Sequence, residues 1–159
     1  MKNKFTHIHA SGNPQMVDVS KKEATVRVAK ARAIVFLGKE IMDRMQGDEL
    51  ITKKGPVFQT AIIAGVMGAK KTSELIPFCH PLGLEDVQIK ITIKKTKAII
   101  ESIAKVTGKT GVEMEALTAA SVAALTVYDM CKALSHSIII EEIKLIEKTG
   151  GKKDFRRKK

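Results

Sequence analysis

Between residues 108 and 134 the chain reads GKTGVEMEALTAASVAALTVYDMCKAL. Glycines and a charged turn open this stretch, and from 116 to 128 it carries no charge. Ala, Leu, Met and Val are favoured or tolerated in helices, and neither Pro nor Gly interrupts the run after Gly111, so the pattern predicts one long helix. A middle that is apolar nearly all the way round belongs in an interior rather than on an amphipathic surface. Its many Ala and Ser residues let neighbouring helices come close, because interaxial distance follows the size of the side chains at the contact.

The charges stand at the two ends. At a rise of ~1.5 Å per residue, Glu115 and Asp129 lie about 20 Å apart along the axis. Steps of about 100° per residue bring them back to nearly the same face. One chain cannot easily crowd both ends round a small reacting centre. Two copies packed antiparallel about a twofold axis can, since an isologous interface sets residue i of one copy beside residue j of the other. The stretch therefore suggests a homo-oligomer with a site shared between chains. The plainer alternative is that Glu113 and Glu115 only complement the helix N-terminus and Lys132 the C-terminus.

With 159 residues the chain has the size of one ordinary domain, read here as a single domain over 1–151 followed by a basic tail, 152–159. Aromatic residues make up 4% and Trp is absent, so the core is aliphatic. No apolar run approaches the ~20 residues of a membrane span, and the opening MKNKFTHIHASGNPQ lacks the apolar region of a signal peptide. Cys79 and Cys131 are too few for a disulfide framework and read as thiols of a reducing cytoplasm. Of the net charge of +11, the tail KKDFRRKK supplies +5, and such a block is usually disordered and solvated. The basic body suits a nucleic acid or a small polyanion such as a triphosphate equally well.

In chain order, residues 1–15 read as extended or mobile. Branched residues and Ala alternate with Lys and Arg over 23–37, a strand by period and β-branching. Residues 39–45 read as a short helix, TKKG (52–55) as a basic turn, and Pro56 suits the first turn of a second helix. In 72–82 Pro77 and Pro81 bracket Phe78, Cys79 and His80, so the backbone there is irregular. DVQIKITIKK (86–95) alternates cleanly, with 97–106 as its hairpin partner, and 137–148 reads as a final strand after the long helix. This βαββαβ order predicts an α+β sandwich of ferredoxin-like type, an antiparallel sheet with helices on one face.

Three constellations carry chemistry. Lys53 and Lys54, in a turn before a helix N-terminus, are able to hold phosphate with the free helix N–H groups, though the P-loop pattern is absent and an exposed basic turn explains them equally. Cys79 and His80 between prolines suit substrate contact, a metal site completed by Cys131, or a thiol nucleophile; neither zinc spacing nor a triad accompanies them. Asp129 and Lys132, at i and i+3, form either an ordinary ion pair or a general acid–base pair, the lysine pKa being pushed down if it is buried.

The long stretch closely resembles the signature of the MoaC family of molybdenum cofactor biosynthesis. MVDVS (16–20), Lys54-Gly55, LIPFCHPL (75–82) and KTGGK (148–152) fit it in the same order. The resemblance spans nearly the whole chain; Thr72-Ser73-Glu74 and the unusually basic tail depart from it. It implies a cyclic pyranopterin monophosphate synthase, a lyase converting 3′,8-cyclo-7,8-dihydro-GTP to cyclic pyranopterin monophosphate with release of pyrophosphate. It implies a hexamer, a trimer of dimers, with the site at a dimer interface. By the same resemblance Asp129, Lys132 and Lys54 are the catalytic residues. Phe78, Cys79, His80, Met114, Glu115, Arg27 and Lys148 are the substrate-binding ones, and the chemistry adds Glu113, since Glu113 or Glu115 would hold the guanine-derived ring. Ring opening and closure need several proton transfers, and the departing pyrophosphate needs cations, whether lysine, arginine or a Mg²⁺ accompanying the triphosphate; no other cofactor is expected. The alternative is a basic nucleic-acid-binding module on a ferredoxin-like sheet. Such modules stack bases on exposed aromatics, and five Phe and one Tyr supply few.

Overall fold

A computed structural model describes residues 14–158. The expectation of a mobile 1–15 falls outside these residues, save for Pro14 and Gln15.

The expected strand near the start is β1 (Thr25–Phe36). Its inward side chains, Ala29, Ala31, Ala33 and Val35, are buried, while Lys30 and Arg32 between them point to the other face. Small inward residues let helices lie close to the sheet. There follow α1 (Lys39–Met42), β2 (Met45–Gln46), β3 (Glu49–Thr52), β4 (Gly55–Pro56), α2 (Val57–Lys70), α3 (Thr72–Leu75), β5 (Asp86–Lys94), β6 (Lys97–Gly108), α4 (Glu113–Cys131), β7 (Ile139–Thr149) and β8 (Phe155–Arg156).

β6 pairs with β1 along its whole length, from Thr25 opposite Gly108 to Phe36 opposite Lys97. The main sheet runs β5-β6-β1-β7-β8 with every pairing antiparallel. With α2 and α4 packed on it, this is the ferredoxin-like α+β fold that the element order predicts.

Close approach of the two helices rests on glycine. A Cβ at Gly65 would stand 2.8 Å from the Ala119 carbonyl, and one at Gly68 would stand 2.7 Å from a Val122 methyl. Ser121 and Thr126 turn their hydroxyls back onto the carbonyls of Leu117 and Val122, at 2.7 and 2.8 Å, which removes two polar groups from the packing problem. Buried Ser102 likewise donates to the Ala116 carbonyl at 2.7 Å and ties β6 to α4.

Four expectations need correction. The helix expected over 39–45 is the single turn α1, because Met45 already belongs to a small sheet of β2, β3 and β4. Residues 72–75 form a helical turn, and the irregular backbone begins only after it. The tail is not wholly loose: Phe155 and Arg156 pair with Lys148 and Glu147 of β7, whose edge offers free backbone groups. The uncharged middle of α4 is not buried all round, since Leu125 is 58% exposed and Tyr128 also reaches the surface.

Candidate active site

Each end of α4 carries its own cluster. At the N-terminal end a cavity of about 420 Å³ is lined by Phe78, Cys79, His80, Glu113, Met114 and Glu115. All six are substrate-binding residues of the sequence reading. Val17, Val19, Lys22, Leu82, Thr110 and Gly111 complete the wall. The stretch after α3 reaches the cavity through a turn in which the Cys79 N–H donates to the Ile76 carbonyl at 3.1 Å. A Cβ at Gly111 beside it would meet the Glu113 carboxylate, so a larger residue there displaces that carboxylate.

Glu115 is 3% exposed. Burial pushes its carboxyl pKa up, and the neighbouring Glu113 charge adds to the rise. Burial also raises the Cys79 thiol, with the Glu115 charge second. Cys79 is thereby held as a thiol, the opposite of what an activated nucleophile needs. Among the described residues no group of three or more His, Cys, Asp or Glu is placed to hold a metal ion.

Glu113 accepts from Lys148 Nζ at 2.8 Å, so it does more than complement the helix terminus. The same two residues, with Arg27, line an adjoining cavity of about 200 Å³. Arg27 is aimed by a 3.3 Å hydrogen bond from its Nε to the Gly108 carbonyl. All eight substrate-binding candidates thus stand round two adjacent cavities.

The three catalytic candidates gather at the other end. Lys54 Nζ lies 2.7 Å from Asp129 Oδ2 and 3.0 Å from its main-chain carbonyl. Lys132 Nζ lies 2.7 Å from Asp129 Oδ1. Asp129 and Lys132 do form an i,i+3 pair, but the third member arrives from the tip of the β3–β4 hairpin. Glu49 fixes that hairpin. Its carboxylate accepts the N–H groups of Leu50 and Phe58, both at 2.8 Å, and of Gln59 at 3.1 Å. The N–H groups of Phe58 and Gln59 are free donors of the α2 N-terminus, so the phosphate site expected there for Lys53 and Lys54 is already occupied by a carboxylate. Sequence reasoning missed Glu49: the cap it provides is not local, and no capping box marks it.

Hydrogen bonds from Lys132 and then Lys54 lower the Asp129 carboxyl from 3.8 to about 2. The hydrogen bond to Asp129 raises the Lys132 ammonium. This reverses the expected lowering, because Lys132 is 54% exposed and faces a carboxylate rather than an apolar wall. The sign follows: the stability contributed by the cluster is fully present above pH 3.8 and is lost as pH falls through about 2. A carbon-detected NMR titration is expected to place the Asp129 midpoint near 2 and to move it upward in Lys54→Ala. An unmoved midpoint would show that the Lys54 pair does not form in solution.

The structure does not bring the two clusters together within one chain; α4 holds them ~20 Å apart. One surface nevertheless joins them. At about 100° per residue, Met114, Leu117, Ser121, Leu125, Tyr128, Asp129 and Lys132 fall within one stripe along the helix, and each is at least partly exposed. Ile63 and Met67 of the neighbouring α2 are 62% and 55% exposed.

The antiparallel α+β sandwich thus carries a lysine–aspartate–lysine cluster at one end of its central helix and a carboxylate-lined cavity at the other. The chain belongs to the MoaC family, whose model matches residues 16–151. This is an enzyme family of molybdenum cofactor biosynthesis, and membership gives the chain its role there. Among the described residues no helix is long and apolar enough to cross a membrane.

Proposed function

We propose that the chain is a cyclic pyranopterin monophosphate synthase, a phosphorus–oxygen lyase that rearranges 3′,8-cyclo-7,8-dihydro-GTP to cyclic pyranopterin monophosphate and releases pyrophosphate. The observation that carries this reading is the Asp129 carboxylate gripped at 2.7 Å by both Lys54 and Lys132. Two ammonium groups on one carboxylate form a proton-transfer centre beside the place where phosphate charge develops. In the open chain Asp129 and Lys132 are both charged. When substrate covers them, loss of water favours their neutral forms, so Lys132 becomes a better proton donor and Asp129 a better acceptor.

Two copies packed antiparallel along the exposed α4 stripe set the Asp129 cluster of one against the cavity of the other, and a trimer of such dimers gives a hexamer. In that arrangement Glu113 and Glu115 accept from the guanine-derived ring. Phe78, Cys79 and Met114 shape its pocket, and Arg27, His80 and Lys148 hold the polyanion. Mg²⁺ would accompany the triphosphate as part of the substrate. The reaction belongs in the cytoplasm, where GTP-derived substrate and two free thiols are at home.

The test is turnover of the cyclised dihydro-GTP by purified protein, following pyrophosphate and a fluorescent pterin derivative together. Both products are expected in equal amounts. A folded, assembled protein that yields neither would sink the assignment.

A further inference from the structure

The most cationic stretch of the chain is folded back onto the sheet by hydrogen bonds. Gly150 turns the backbone at φ +82°, a conformation L side chains rarely adopt, and a Cβ there would collide with the Val26 carbonyl. Thr25 Oγ1 donates to the Gly150 carbonyl at 2.7 Å, and the Gly150 N–H donates to Asp154 Oδ1 at 3.1 Å. Beyond β8, Arg157 donates its backbone N–H to the Ile146 carbonyl at 2.8 Å and its Nε–H to the Leu145 carbonyl at 3.0 Å. Its guanidinium lies 5.6 Å from the centre of the Phe155 ring. Fixing like charges side by side is unfavourable unless an anion joins them.

The folded-back loop walls two cavities. Lys152 and Lys153 line the 200 Å³ one that also holds Arg27 and Lys148. Lys153 and Lys148 recur in the wall of a second, of about 410 Å³, with Arg157, Phe155 and Asp154. Among the described residues Lys148 is the only one of these cations in an ion pair, that with Glu113. Gly111 and Glu113 belong both to the smaller cavity and to the carboxylate-lined cavity at the head of α4. Shared wall residues thus link the three cavities in series, from buried Glu115 outward past Glu113 and Lys148 to the unpaired cations.

The geometry points to a polyphosphate subsite in which Lys152, Lys153 and Arg157 extend the Arg27–Lys148 cavity and take the outer phosphates of a triphosphate-bearing ligand. The subsite deepens the function proposed above and rests on it for the identity of the ligand. Its own chemistry needs only a polyphosphate: the ammonium groups of Lys152 and Lys153 and the terminal guanidinium nitrogens of Arg157 stand along the two cavities and can donate charge-assisted hydrogen bonds. A nucleic acid fits less well, because the loop offers a single aromatic, Phe155, where modules that read single strands stack bases on several.

Calorimetry with inorganic triphosphate tests this on the whole protein. Wild type is expected to bind, and the double variant Lys152→Ala/Lys153→Ala to bind roughly tenfold more weakly. A control lacking two exposed lysines at the end of α2, Lys70→Ala/Lys71→Ala, is expected to match wild type. No binding by wild type, an unchanged affinity in the tail variant, or an equal loss in the control would each overturn the subsite. A single-stranded oligonucleotide that binds more tightly than triphosphate, and is the ligand lost in the tail variant, would also overturn it. Turnover read separately keeps the two proposals apart. Triphosphate binding lost in the variant of a protein with no synthase activity leaves the subsite standing and removes the reaction. Full activity with unchanged triphosphate affinity removes only the subsite.

Discussion

For the reaction proposed above, Asp129→Ala is expected to lower turnover of the cyclised dihydro-GTP by about a thousandfold, the middle of the range for a positioned acid–base group. The carboxylate is the hub of its cluster: each oxygen takes one ammonium at 2.7 Å, and among the described residues no other side chain joins those two lysines. Without it Lys54 keeps only the main-chain carbonyl at 3.0 Å, and the rise that Asp129 gives the Lys132 ammonium disappears. Asp129→Asn is expected to fall between wild type and Asp129→Ala. The amide keeps the shape and one acceptor oxygen but neither the charge nor the proton-accepting capacity. The loss cannot be assigned to unfolding, because the Asp129 side chain is 53% exposed and exposed ion pairs contribute little to stability. Steady-state rates from neutral to mildly alkaline pH, with circular dichroism on the same samples, check this. A folded Asp129→Ala protein turning over at the wild-type rate would remove the cluster from the mechanism.

The long elements were legible because burial imposes a period. Val87, Ile89, Ile91 and Ile93 alternate along β5, and the charge-free middle of α4 leaves no room for a strand or a turn. Elements held by distant partners leave no such mark. β2 and β4 have two residues each, too short to alternate, and they exist because Glu49 joins the hairpin to the start of α2. The same hairpin delivers Lys54 to Asp129, residues 75 apart in sequence, so no local pattern foretells that contact. β8 lies in a block whose charge reads as solvated, and only the exposed edge of β7 explains its order. As for the site, the helical repeat already put Glu115 and Asp129 on one face. The individual residues came from motifs shared with the MoaC family. The resemblance also sorts them into catalytic and substrate-binding sets; what it does not give is that each set gathers at its own end of α4, which the Lys54–Asp129 and Lys148–Glu113 contacts show.

Mixing two inactive variants is expected to restore activity. If each site takes its Asp129 cluster from one copy and its cavity from the other, a dimer of Asp129→Ala with His80→Ala holds one site carrying both defects and one site carrying none. Random pairing of equal amounts makes half the dimers mixed, so about a quarter of all sites are intact. Coexpressed variants should therefore show about a quarter of wild-type turnover, against a small residue for either alone. The surface that would bring the copies together is the α4 stripe through Ser121, Leu125 and Tyr128, exposed in the single chain although its composition belongs in an interior. Its apolar middle would bury against its own twofold image, and its polar ends would then each meet the opposite end of the partner helix. A site contained in one chain gives a different result, since every copy in the mixture carries a defect and the activity is only the average of the two variants. Activity at that average in a coexpressed, assembled sample would mean that the two ends of α4 do not serve one reaction.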